Sequence, residues 1–294
     1  MRKSITLIII AIIATALMTS CNKESKLEEK IPAETITVFK VNTADILKDL
    51  SYDNLVEEIH KMESYKNTMD NLDDEERALL EEILNDPAAS GIQFKTPLYG
   101  FFYPYEKEEQ EGFMAGVIAA VKGSDFDEFL HEMDEVGGLD MEFNQHDDFQ
   151  YIKYYNSAIG WNNDIAVYLG SMNHIYTESE SHIMAELERL FSLEKQESLI
   201  SNKDFGDFSK NAQDFNMWFA LDLDADYYPY MIFDIKPFMD YTGIDDLSGN
   251  YMHMYTEIRK DGIVSSSELR VNKEVQNFKW EDMKWDKIDE TIGY

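Results

Sequence analysis

Cysteine occurs once in this 294-residue chain, at Cys21. No intrachain disulfide can form, and the chain downstream of Cys21 has no thiolate for catalysis or zinc binding. Basic side chains are also scarce: 26 Lys and Arg stand against 58 Asp and Glu, a formal charge of −32. Affinity for nucleic acid comes from Lys and Arg neutralising phosphates, so a nucleic-acid partner is excluded. Adhesion to anionic lipid by charge alone is excluded for the same reason. Six prolines and 14 glycines rule out a low-complexity or collagen-like chain. There is no glycine-rich phosphate loop, no nucleophile-elbow pattern and no basic patch. Long apolar runs are missing as well. The mostly apolar stretch from Ile5 to Met18 falls short of the ~20 residues that a spanning helix needs.

That short run has a different meaning. It follows the basic start Met1-Arg2-Lys3 and ends Leu17-Met18-Thr19-Ser20-Cys21. Basic start, brief apolar core and small residues before a cut describe a secretory signal peptide. Its end is similar to the bacterial lipobox, where the cysteine after the cut receives diacylglycerol. Leu17 stands one step further out than the usual leucine, with Met18 in that place. The competing reading is an uncleaved helix with an incidental cysteine. The expectation is a cleaved signal over residues 1–20, acyl chains such as palmitate on Cys21, and a flexible tether over residues 21–30. Asn22 follows the cysteine, so no inner-membrane retention signal of the enterobacterial type is present. A mature chain cut before Cys21 keeps 24 basic and 58 acidic side chains, a charge of −34. Charge of that size keeps a protein dispersed.

A hydrophobic content of 44% excludes wholesale disorder. Thr35 to Val41 is β-branched and reads as a strand. Helical spacing continues through Ile46, Leu47 and Leu50, then Leu55, Val56, Ile59 and Met62. Asp73 and Glu76 mark a capping box for a helix over 73–85. Pro87 ends it and Gly91 turns the chain. Strands over 98–105 and 112–122 form a hairpin. Ser124 with Asp127 is expected to cap a helix that Gly137-Gly138 stops. Short strands follow near 141–145, 149–155, 157–162 and 164–170, the last two joined at Asn162-Asn163-Asp164. A helix over 175–192, a strand over 214–222, a short helix over 228–241 and a hairpin from Tyr251 to Val271 complete the pattern. Residues 33–50 and 214–231 echo each other as strand then helix. The fold class is therefore α+β: antiparallel sheet with flanking helices, in two related halves over 31–172 and 173–279, with a tail over 280–294.

Candidate chemistry is sparse. Asp222, Asp224 and Asp226 offer oxygen ligands for calcium. On a regular strand, however, Asp222 and Asp226 stand roughly 13 Å apart, too far to share one ion. A strand end whose aspartates bond local backbone fits better. His131-Glu132-Met133-Asp134-Glu135 nearly matches a zinc-protease motif, but Glu135 stands where the second histidine belongs. His60, His146, His174, His182 and His253 lack ligand spacing and read as surface or sheet-face residues. Tyr99, Phe101, Tyr103 and Tyr105 alternate on one strand. They read as sheet core, with sugar stacking as the alternative. Trp280 and Trp285 are expected to dock the tail.

Five stretches in order carry a family resemblance: IPAETITVFKVNTADIL, SGIQFKTPLYGFF, GVIAAVKGSDFDEFL, AIGWNNDIAVYL and DLSGNYMHMYTEIRKDGIVSSSEL. Together, over residues 31–275, they resemble the Bacteroidota lipoproteins known as domain of unknown function 4836. The resemblance implies an exported lipoprotein with an α+β fold and assigns no catalytic residue. The expected function is that of a lipid-anchored envelope protein, at the outer membrane, acting by binding and not catalysis. Its expected partners are the membrane, through the lipid on Cys21, and an unidentified protein or glycan. No cofactor or metal is expected. The alternatives are a glycan-binding or glycan-processing accessory and, behind it, an envelope hydrolase.

Overall fold

The computed structural model describes residues 27–44, 46, 52–107, 110–171, 179–221, 249–259, 262–277 and 279. The leader with Cys21, His174, the Asp222–Asp226 run, the helix expected over 228–241 and the tail with Trp280 and Trp285 lie outside them.

The described residues form an α+β fold around one antiparallel sheet of ten strands. The strands are β1 (Thr37–Val41), β2 (Leu98–Lys107), β3 (Gln110–Ala120), β4 (Phe143–Gln145), β5 (Gln150–Tyr154), β6 (Ser157–Trp161), β7 (Ile165–Ser171), β8 (Phe215–Ala220), β9 (Tyr251–Arg259) and β10 (Gly262–Arg270). Their order is β10-β9-β8-β1-β2-β3-β7-β6-β5-β4. Helices α1 (Tyr52–Lys61), α2 (Glu63–Met69) and α3 (Asp74–Asn85) lie between β1 and β2. Helix α4 (Gly123–Gly137) follows β3, α5 (Ser179–Ser192) and α6 (Lys203–Ser209) precede β8, and α7 (Lys273–Asn277) follows β10.

The two expected halves share this single sheet. β1 and β8 are central and antiparallel, with Phe39 opposite Met217 at their midpoint. From there β1, β2 and β3 step outward one way, while β8, β9 and β10 step outward the other way. A half-turn about the Phe39–Met217 pair carries one strand order onto the other.

Each face carries a core. On the first, Val38, Tyr99, Phe101, Tyr103, Ile118 and Trp218 meet Ile183, Leu187 and Leu190 of α5 and Phe205 and Phe208 of α6. On the second, Leu98, Ala119, Trp161 and Ala166 meet Ile83 of α3 and Phe126, Phe129, Leu130 and Met133 of α4. The i, i+3, i+4 spacing on α4 makes that stripe. Phe101 lies flat across β3 because Gly116 has no side chain: a Cβ there would stand 2.2 Å from the ring's Cζ.

Local signals are met in most places. Asp73 accepts from the amides of Glu75 and Glu76, and Glu76 returns a bond to the Asp73 amide, completing the capping box. Gly91 takes φ +73° and Gly138 takes φ +55°, the left-handed conformation that glycine adopts without strain. Asn162 Oδ1 accepts from the amides of Asp164 and Ile165, closing the β6–β7 turn.

Three expectations are corrected. Residues 27–30 are not tether: Leu27–Lys30 forms a 3-10 turn and Leu27 is fully buried. Lys30 pins that turn by donating to the Phe191 and Leu193 carbonyls at 2.8 and 2.9 Å. Lys122, not Ser124, occupies the cap position of α4, and the Ser124 hydroxyl bonds Asp125 instead. His182 lies buried on α5, where it packs toward Tyr105, rather than at the surface or on the sheet.

Candidate binding face

Period-2 alternation sends every second side chain to one face, and the register aligns those side chains across strands. On the second face, one level forms an unbroken row across all ten strands. Ser267, Met254, Met217 and Phe39 stand opposite one another from β10 to β1. Gly100, Val117, Tyr168 and Ile159 continue it through β2, β3, β7 and β6. Ile152 and Phe143 end it on β5 and β4.

Among the described residues, α3 and α4, with Tyr52 of α1, cover one end of that face. Phe39, Val117 and Tyr168 are 38%, 44% and 39% exposed, and Met217 and Met254 are half-buried. The next level holds Leu269, Met252, Phe219, Thr37 and Phe102 in register. Phe102 stacks on Phe113 at 4.9 Å, nearly parallel. Gly100 leaves a notch between Phe39 and Val117, since a Cβ there would meet only ordinary contacts at 3.8 Å. Methionine and aromatic side chains on an open face give a soft, adaptable apolar surface. Contiguous apolar exposure is a feature that interaction surfaces share.

The first face is covered at its centre by α5 and α6 and holds several buried polar groups. Tyr99 donates to Glu28 at 2.6 Å and Tyr103 to Glu186 at 3.0 Å. Burial, then the facing carboxylates, push both phenols well above their ordinary range. Arg189 spans Glu186 and Glu34 and lies over the Tyr103 ring. Lys40, buried in mid-strand, donates to the Ser209 and Asn211 carbonyls where α6 ends. Burial lowers its pKa, and Glu28 opposes that shift. His253 on β9 bonds the Tyr255 hydroxyl through Nδ1 at 2.8 Å, and burial holds it below the usual imidazole range.

The residues singled out from sequence do not converge. Tyr99, Phe101 and Tyr103 are buried in the core, and Tyr105 is partly buried against it, so none of the first three offers a ring to a sugar. His131 stacks on Phe143 at 3.8 Å, and Asp134 accepts from the Met141 amide. Among the described residues no three His, Cys, Asp or Glu side chains gather to hold a metal. His60 pairs with Glu81 and His146 with Glu188 at the surface. Cys21 and Asp222, Asp224 and Asp226 lie outside the described residues. Sequence reasoning missed the open face. Its only linear signal is apolar alternation, as in Phe215, Met217 and Phe219, which reads equally as core.

No curated protein matches the chain. Among solved structures it is similar to three crystal forms of TP0453. Form III has 9% identity and TM-score 0.42, covering 86% of this chain and 81% of that one. Form I has 11% identity and TM-score 0.41, with coverages of 86% and 80%. Form IV has 9% identity and TM-score 0.40, with coverages of 82% and 79%. Residues 27–229 match the family described as domain of unknown function (DUF4836), and the chain belongs to that family.

Proposed function

We propose that this protein is a lipid-anchored component of the bacterial cell envelope, at the outer membrane, that acts by binding and not by catalysis. One observation supports binding: Met254, Met217, Phe39, Val117 and Tyr168 are aligned across the sheet, with Phe39, Val117 and Tyr168 exposed and both methionines half-buried. Its contact is an apolar surface of the partner, since the row offers rings and methionines rather than charges. The burial of Tyr99, Phe101 and Tyr103 weighs against the glycan alternative. Anchorage rests on the sequence before Cys21.

Titration with the apolar dye 1-anilinonaphthalene-8-sulfonate tests the face. The folded protein is expected to bind the dye, and Val117→Lys with Tyr168→Lys to weaken binding about tenfold, equivalent to about 1.4 kcal/mol. Unchanged far-UV circular dichroism would show the fold intact. Equal dye binding by the double variant would rule this face out. For the anchor, Cys21→Ala is expected to lose radiolabelled palmitate; equal labelling would rule out lipidation there.

A further inference from the structure

The sheet ends differently on its two sides. β4 is three residues long and carries Asn144 and Gln145, too short and polar to template another strand. β10 runs nine residues, and all nine are exposed. Natural edge strands are blunted by shortness, charged side chains, proline or a bulge. β10 reads GIVSSSELR, with no proline, and its two charges, Glu268 and Arg270, pair with each other at one end. Its register against β9 is uninterrupted from Gly262↔Arg259 to Arg270↔Tyr251, so no bulge turns the edge away.

The ladder shows which groups face out. On β9, the Ile258 amide bonds the Asp214 side chain and the neighbouring Asn250 carbonyl accepts from Leu221, so the even-numbered positions point toward β8. The odd-numbered residues of β9 therefore bond β10, and their partners there are Gly262, Val264, Ser266, Glu268 and Arg270. Ile263, Ser265, Ser267 and Leu269 turn their amides and carbonyls outward. The same four project their side chains onto the open apolar face.

We propose that β10 is a self-association edge, pairing antiparallel with β10 of a second copy about a two-fold axis at Ser266. In that register each Ile263 stands opposite Leu269 of the other copy and each Ser265 opposite Ser267. Four outward pairs then exchange both of their backbone bonds. Ile263 and Leu269 are 71% and 61% exposed in the single chain, and the pairing gives each an apolar neighbour. A two-residue slip would set Leu269 against Ser265 or Asp261 instead. Charge agrees with a self-partner. Glu268 faces Val264 and Arg270 faces Gly262, so no like charges meet. The hairpin is also locally neutral, with Glu257 bonded to Arg259 and Glu268 to Arg270. The two-fold axis extends the open apolar face from one copy into the next. An isologous pairing of this kind closes at two copies.

Sedimentation of the signal-free chain, over a concentration series at low and high salt, tests this. A monomer–dimer equilibrium is expected, stronger at high salt because screening weakens repulsion between two molecules of charge −34, 24 basic against 58 acidic side chains. Ser267→Pro removes one outward amide and no bond to β9; it is expected to restore the monomer with unchanged circular dichroism. In a Cys21→Ala background, Ser266→Cys is expected to form a disulfide dimer on oxidation and Glu268→Cys not to. A monomer throughout, a dimer that survives Ser267→Pro, or open-ended aggregation in place of a dimer would each overturn the proposal.

Discussion

Lys40 sits in the apolar strand TVFKV, where a lysine reads as solvent-facing. It is buried instead, because its amine reaches two carbonyls at the end of α6 that the sequence places far away. Lys40→Met would leave those carbonyls without a donor. The expected loss is about 2 kcal/mol, measured by urea denaturation, since an unpaired buried acceptor costs about 1–3 kcal/mol. His253 gives a pH dependence. Burial lowers its folded pKa, as does Arg270; Glu268, Asp204 and Asp207 oppose the shift. Tyr251 and Tyr255 flank the ring, Phe208 packs on it from α6, and Trp218 stands opposite on β8. The unfolded chain takes up a proton near pH 6.5 and the folded chain only at lower pH. Stability from this residue is therefore present above about pH 6.5 and drains as pH falls below it. His253→Phe is expected to lose less stability between pH 7.5 and 5.5 than the parent chain; parallel slopes would refute the assignment. Period-2 spacing exposed Tyr99 and Tyr103 as strand residues. Their acceptors, Glu28 and Glu186, come from elements with no linear link to that strand, so the hydroxyl bonds were invisible.

Elements were most legible where the signal is local. The Asp73–Glu76 box lies within four residues, and it formed. Asp73→Ala is expected to cost about 1 kcal/mol in thermal unfolding. The cap at Ser124 failed because α4 starts two residues earlier than that cap implies, at Gly123, where a Cβ would stand 2.5 Å from the Asn162 carbonyl oxygen. On β9 the alternation was plain, but not which side is inside. The Tyr251–His253 side is buried, because α6 brings Phe205 and Phe208 over that end of the first face. Gly116 shows how one element shapes another. Gly116→Ala would force the Phe101 ring off β3, at an expected cost of about 1–3 kcal/mol, typical of overpacking. Differential scanning calorimetry of the single variant measures it.

At the scale of the molecule, acidity and mixed architecture were readable from composition and pattern. The single sheet was not, because nothing linear announces that β1 and β8 pair. The open face was hidden for a related reason: each strand contributes one side chain to the row, and only the register brings ten of them into line. A net charge of −32 repels itself. The melting temperature is accordingly expected to rise with added sodium chloride through the range where the Debye length shrinks from about 30 Å to about 10 Å. A flat response would mean the carboxylates are too dispersed to matter.

The central seam between β1 and β8 has a consequence for timing. Residues 37–41 emerge early from a ribosome, yet one of their two neighbours, residues 215–220, arrives only after most of the polypeptide has been made. Until then the middle of the future sheet is a raw margin, and contacts so distant in sequence assemble slowly. A chain built this way is expected to close its central seam only once residues 215–220 have been made.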